Sequence, residues 1–466
     1  MPHSNSNRPR AIQFLFENSV FLIAGAFLAL VWANLDASSY NRFLQFDLTA
    51  PFTRAEHHDA PLEAAGHGDP DHEPTSGAEE HAAVSEGGQG ESAHASGHHF
   101  NLHWLINDVL MALFFAIAAK EVWEALLPGG ALSDPRKAAT PLLATLGGIL
   151  GPASLYVAGV LMFSSWSELG SGWAVPCATD IAFSYLVARL IFGPGHPAIA
   201  FLLLLAIADD AAGLIILAIF YPQAPLAPAW LLLAAGAILL GFAFRKLRLQ
   251  SFWWYLLIPG TMSWLSFYFA GIHPALGLVP IIPCMPHAST DLGIFARDQL
   301  GRHDTLNEFE HWWKNPVELI LGFFGLVNAG VGFSSVGVGT WLVLVGLIVG
   351  KPLGITLFTW IGVRALKLEI PGGMSYRHVF TLGVVAGIGF TVALFVSTAA
   401  FPLSKFPQET LDAVKMGALG SFFAAILAFA VARMLGIRPV SAEATAEAPK
   451  GDEPDAEAVS ETGTAV

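Results

Sequence analysis

Two adjacent carboxylates, Asp209 and Asp210, stand inside an apolar run from about Ile199 to Phe220. A run of roughly 20 apolar residues can cross a bilayer as one helix, so the pair belongs near mid-membrane. An ionised carboxylate there costs about 2.5 to 3.5 kcal/mol on insertion scales, and such a group must face a wet cavity, a cation or a basic partner. We read the pair as a cation and proton site. The plainer alternative is two polar residues that only hold helices together, a task one Asn performs at lower cost.

Further ionisable residues lie in other apolar runs: Asp108, Lys120, Glu121, Asp180, Arg189 and Lys351. Asp180 follows Pro176, which removes a backbone donor and clashes with the preceding turn, so a helix through this stretch should break. A broken helix exposes carbonyls and amides. Thr179 and those carbonyls can ligate a hard cation, while Asp180 can neutralise the positive helix ends that meet at the break. A second interruption is expected at 386–391, where Gly387 and Gly389 weaken a helix. Close helix packing is the competing use of those glycines.

The elements that must position these groups follow from composition. Hydrophobic residues make up 54% of the 466 residues and charged residues 13%, with a mean hydropathy of +0.55, which marks an all-α polytopic membrane protein. Twelve apolar segments are read, at 20–35, 104–127, 138–162, 174–192, 197–220, 229–244, 252–270, 273–285, 316–335, 341–363, 377–400 and 412–434. The first is taken as a retained helix after residues 1–18, although basic residues ahead of an apolar stretch also suit a signal peptide. Basic residues concentrate in alternate connectors, so the positive-inside rule puts both termini in the cytoplasm. The net charge of -14 arises largely in polar segments and says little about the membrane core. Cys177 and Cys284 both fall in apolar runs, which leaves no disulfide framework.

Residues 54–103 break the pattern. This stretch is rich in Gly, Ala, Ser, Glu and Asp, holds nine of the sixteen histidines, and reads as a disordered external loop between the first two segments. His57, His58, His98 and His99 are candidate ligands for zinc, copper or nickel, against the simpler reading of a solvated, weakly buffering loop. Residues 437–466 read as an acidic, disordered cytoplasmic tail. No cofactor or nucleic-acid partner is expected.

The two interruptions fall in the second of segments 3 to 5 and the second of segments 10 to 12. Matching interruptions in two halves point to an inverted-repeat transporter with its site where the broken helices cross. The motifs GWAVPCATDIAF at 172–183, AIADD at 206–210, NAGV at 328–331, GKPLGI at 350–355 and GIGFT at 387–391 resemble, in order, those of the NhaA-type sodium/proton antiporters. That family is itself a standard illustration of the inverted-repeat pattern. The resemblance covers about residues 11 to 436.

The resemblance implies roles by position. Asp210 matches the main sodium-binding carboxylate, Asp209 its neighbour and the partner of Lys351, and Thr179 and Asp180 the broken-helix residues beside the site. Neighbouring helix positions point about 100° apart, so one Asp can meet Lys351 while the other meets the ion. It also implies electrogenic, pH-regulated exchange of Na⁺ or Li⁺ for protons by alternating access, in a bacterial inner membrane, often by a homodimer. Glu121, Glu310 and His311 match positions lining a cytoplasmic entrance that senses pH. The surroundings depart from that pattern: Lys120 precedes Glu121, Ala125 replaces a second acid, and Trp312, Trp313 and Lys314 follow His311.

Other classes fit less well. An intramembrane aspartyl protease needs two water-activating aspartates and leaves Lys351 without a role. A divalent-metal transporter fed by the His-rich loop lacks any His beside the Asp pair in the apolar runs. The expected protein is a secondary transporter and not an enzyme.

Overall fold

The computed structural model describes residues 19–46, 101–133, 135–286 and 305–439, and every regular element among them is a helix. In chain order they are α1 (Val20–Leu35), α2 (Ala37–Leu44), α3 (Leu102–Leu126), α4 (Pro135–Met162), α5 (Trp166–Cys177), α6 (Ile181–Phe192), α7 (Pro197–Phe220), α8 (Pro228–Lys246), α9 (252–270), α10 (Pro274–Cys284), α11 (Thr305–Asn328), α12 (Val338–Ala365), α13 (Tyr376–Ala386), α14 (Phe390–Ala400) and α15 (Gln408–Met434). Six of these, α3, α4, α7, α8, α12 and α15, are long and apolar enough to cross a membrane. Counting each of two bent pairs as one span raises the number to eight. Large apolar side chains such as Phe27, Leu232, Leu239 and Phe423 are exposed on the outer faces, as befits a protein solvated by lipid.

The helices fall on the apolar runs read from the sequence with shifted ends, such as α5 beginning at Trp166 ahead of the run at 174–192, and two of the differences have a clear cause. The run at 273–285 is wound mostly as 3₁₀ turns, Pro274–Leu276 and Val279–Cys284. Pro274, Pro280 and Pro283 remove the donors an α-helix needs there. α11 begins at Thr305, well ahead of its apolar run, because its first turns are polar and carry Glu310, His311 and Lys314.

The two bent pairs are α5–α6 and α13–α14, with angles of 51° and 52° at breaks of a few residues. Ahead of the first break, Gly170–Cys177 is wound as 3₁₀ helix, consistent with the poor α ladder around Pro176. Ala178 is extended, with ψ 150°. At the second break Gly387 and Gly389 have ordinary φ values of -65° and -105°. Space, not backbone freedom, requires glycine there: a Cβ on Gly387 would lie 2.6 Å from the Leu347 carbonyl oxygen, and one on Gly389 2.8 Å from that of Ala178.

Glycines also let α4 and α12 meet backbone to backbone. A Cβ on Gly147 would come 2.2 Å from the Gly354 oxygen, and one on Gly151 2.4 Å from the Gly350 oxygen. Both helices carry the small-xxx-small spacing that permits such approach. α12 presents Lys351 from this seam.

Candidate functional site

The two breaks touch. The Asp180 amide donates to the Ile388 carbonyl at 2.7 Å, the Thr179 hydroxyl to the Ala386 carbonyl at 3.2 Å, and the Ser184 hydroxyl to the Val385 carbonyl at 3.1 Å. Breaking a helix frees such groups, and here each break satisfies the other.

Asp180 caps α6 by accepting from the Phe183 amide at 3.2 Å. Its second oxygen accepts from the Thr391 amide at 3.4 Å and from the Thr391 hydroxyl, in the first turn of α14. One carboxylate thus stands at two helix N-termini, where negative charge is favoured. The Lys351 ammonium does the converse, donating to the Cys177 carbonyl at the C-terminal end of α5.

Lys351 is fully buried and also donates to Asp209 Oδ2 at 2.8 Å. The same oxygen accepts from the Thr179 hydroxyl at 2.7 Å. Asp209 is therefore fixed from two sides. Asp210 has no hydrogen bond or ion pair among the described residues, and both aspartates line a cavity. The walls include Phe114, Phe115, Ala118, Ala178, Gly213 and Val392. Thr179, Asp180 and Lys351 surround the Asp pair without lining that cavity. Pro176, Gly387 and Gly389 shape the breaks behind it.

A second cluster lies toward the end of the bundle that carries the basic connectors. Lys120, 3% exposed, donates to Glu124 at 2.6 Å and to Glu310 of α11. Glu121 is partly buried beside them and His311 is exposed on α11, neither with a hydrogen bond or ion pair among the described residues. At the same end His196 caps α7, its Nδ1 accepting from the Ala198 amide at 3.1 Å. The His196 ring stacks on Phe192 and lies 5.1 Å from the ring of His378. Burial, and then the neighbouring His378, hold His196 below the usual imidazole range.

Some polar groups escape the sequence reading. Asn328, read only as part of a motif, exchanges hydrogen bonds with Asn107 at 2.8 and 3.3 Å and accepts from Thr398 of α14 at 3.3 Å. Thr391 likewise stands in a motif with no role assigned by the sequence. Glu124, Glu318 and Lys415 lie inside apolar runs and carry the same signal as Lys351, a charge where lipid is expected. The candidate metal ligands His57, His58, His98 and His99 lie outside the described residues. Among the described residues no three His, Cys, Asp or Glu side chains are grouped to hold a metal ion.

A family model described as Na+/H+ antiporter 1 matches residues 80–432. This chain belongs to that antiporter family. It is 47% identical over 451 residues to the Na(+)/H(+) antiporter NhaA of Jannaschia sp. (strain CCS1), covering 92% of this chain and 99% of the relative. It is 42% identical over 431 residues to the protein of that name from Geotalea uraniireducens (strain Rf4), covering 92% and 98%. For that of Desulfitobacterium hafniense (strain DSM 10664 / DCB-2) the identity is 40% over 438 residues, covering 93% and 98%. The stretch matched by the antiporter family model contains both breaks, the Asp pair, Lys351 and the Lys120 cluster.

Proposed function

We propose that this chain is a Na⁺/H⁺ antiporter, a secondary active transporter in which Asp210 takes a cation or a proton in turn. The observation that carries this reading is the unequal pair: both aspartates line the cavity, but Asp209 is held by Lys351 and Thr179, while Asp210 has no partner among the described residues. Na⁺ and Li⁺ are hard cations that prefer carboxylate and carbonyl oxygens. A carboxylate bound to such a cation favours its ionised form and sheds a proton, so the two compete for one group. If that group faces one side at a time, cation and protons cross in opposite directions.

Charge balance supports electrogenic exchange. With Asp180, Asp209 and Asp210 ionised, the crossing carries three negative charges against the single positive charge of Lys351. A sodium ion alone does not neutralise it, which leaves room for more than one proton per sodium in the other half-cycle.

The finer architecture we read is twelve membrane helices in two inverted repeats. Support comes from the positions of the bent pairs: α5–α6 lies between α4 and α7, and α13–α14 between α12 and α15. Rocking of these six segments against the rest would give alternating access. Both termini and the Lys120 cluster are assigned to the cytoplasmic side by the positive-inside rule. Glu121, Glu310 and His311 then line the entrance and take part in pH regulation. The stretch from residue 54 up to the start of α3 is external, and the protein resides in a bacterial inner membrane, with homodimers as the assembly.

The test is proton-gradient dequenching in everted vesicles, with NaCl, LiCl, KCl or choline chloride added across about pH 6.5 to 8.5, a range bracketing shifted carboxylates and His. Na⁺ or Li⁺ should collapse the gradient for the wild type and not for Asp210→Asn. No response of the wild type to any monovalent cation would sink the proposal. Deleting residues 57–99 should leave exchange intact, whereas a metal transporter fed by that loop would lose uptake.

A further inference from the structure

The cavity beside the Asp pair points one way. Its walls on α7 include Gly213 and Leu217, about one and two turns beyond Asp210, and on α14 Val396, past the break, so it runs toward the end of the bundle opposite the basic connectors. There Phe115 of α3, a wall residue, meets Phe395 of α14 edge to face with ring centres 4.8 Å apart. Thr398 follows on the same side of α14 as Phe395 and meets Asn328 at the end of α11.

The bonds at this place are arranged to separate. Asn328 and Asn107 of α3 are both almost wholly buried and exchange hydrogen bonds at 2.8 and 3.3 Å. Asn328 also donates to the Phe324 carbonyl of its own helix at 3.1 Å. The Thr398 hydroxyl lies 3.3 Å from Asn328 Oδ1 and 3.1 Å from the Leu394 carbonyl, one turn back on α14. It has one proton and can donate to only one of them. If α14 draws away, the hydroxyl turns to Leu394 and the two asparagines keep each other. No buried polar group then loses its last partner, the loss that makes such separations costly. Thr commonly bonds back to its own helix, and here that habit leaves the bond between helices free to break. The contact also crosses the border at which movement is needed: α14 belongs to the six segments taken to rock, and α3 and α11 belong to the rest.

We propose that the Thr398–Asn328 contact is a latch that holds the cavity shut on the side away from the basic connectors and opens when α14 leaves α11. This rests on the antiport reading and names the contact that closes one face of its alternating access.

The test puts a reporter in the cavity. A Cβ added to Gly213 meets nothing within 4 Å, so Gly213→Cys is combined with Cys177→Ala and Cys284→Ala as the parent. Its modification by a membrane-impermeant cationic methanethiosulfonate is timed in right-side-out and in everted vesicles, for the parent alone and with Thr398→Val or Thr398→Ser. Right-side-out vesicles present the face away from the basic connectors, and the rate there follows the share of molecules open to that face. Thr398→Val should raise this rate about three- to twentyfold, the factor for losing one hydrogen bond between membrane helices, with no rise in everted vesicles. Thr398→Ser keeps the hydroxyl and should stay near the parent. An unchanged rate in Thr398→Val, or an equal rise from both faces, overturns the latch, while Na⁺-driven dequenching by the wild type keeps the antiporter standing. A wild type silent to Na⁺ and Li⁺ overturns both. Should the Val variant fail to accumulate, Thr398→Ala carries the same expectations.

Discussion

The Lys351 ammonium lies 2.8 Å from Asp209 and not against the adjacent Asp210, so two carboxylates next to each other in the chain are divided into a paired one and a free one. Removing Lys351 strands a buried negative charge. Lys351→Met should destabilise the detergent-solubilised protein by about 3 to 5 kcal/mol, the usual cost of breaking a buried pair from one side. Adding Asp209→Asn should recover part of that loss, and a double-mutant cycle on thermal unfolding would show coupling of about 0.5 to 3 kcal/mol. Strict additivity would mean that the pair does not act as a unit.

Gly389 permits the contact between the two breaks. Ala at this position sets a methyl 2.8 Å from the Ala178 carbonyl oxygen and 2.9 Å from Leu347. Gly389→Ala should lower stability by about 1 to 3 kcal/mol through overpacking. Gly236 of α8, where an added methyl would meet nothing within 4 Å, is the comparison: Gly236→Ala should change stability by less than about 0.5 kcal/mol. Equal unfolding temperatures for the two variants would contradict the close approach.

Acid should loosen the start of α7. His196 caps that helix through an unprotonated Nδ1, and its proton affinity is depressed by burial and by His378. The unfolded chain therefore takes up the proton first, so this contribution to stability is complete above the unfolded imidazole value of about 6.5 and is lost as pH falls through the lower folded value. Unfolding temperatures recorded from about pH 8 down to about 5 should fall more steeply for wild type than for His196→Asn, which can cap without titrating. Parallel curves would remove His196 from the account.

Lys120 joins two helices through Glu124 and Glu310, whose side chains are 36% and 29% exposed. Because both partners are partly solvated, Lys120→Met should cost only about 1 to 2 kcal/mol. Lys120→Arg should restore most of it. A Met variant as stable as wild type would show that solvent, not Glu310, satisfies the ammonium.

Much of this site is legible in the residues because charge inside an apolar run is a local signal. Asp209, Asp210, Asp180 and Lys351 announce themselves in this way, and Pro176 marks its break without reference to anything distant. Glu318 and Lys415 carry the same signal, yet each is a single charge near the end of a long run and is easily absorbed into it. The bonds between helices are another matter. Asp180 meets Thr391, Lys120 meets Glu310 and Asn107 meets Asn328 across 190 to 221 residues, and no periodicity in either partner encodes which helix lies alongside. The stretch 273–285 misleads for a further reason: hydropathy counts its prolines as neutral, whereas the backbone cannot carry an α-helix through them.

The seam between α4 and α12 bears on how an ion experiences Lys351. With Gly147 and Gly151 against Gly350 and Gly354, the two backbones meet directly at these positions, with no room for a side chain there. The ammonium is accordingly indexed to a stiff double rod, and its position has little play. Lys351 is therefore held at a set place relative to α4, and any displacement of the ammonium has to be a displacement of both helices together.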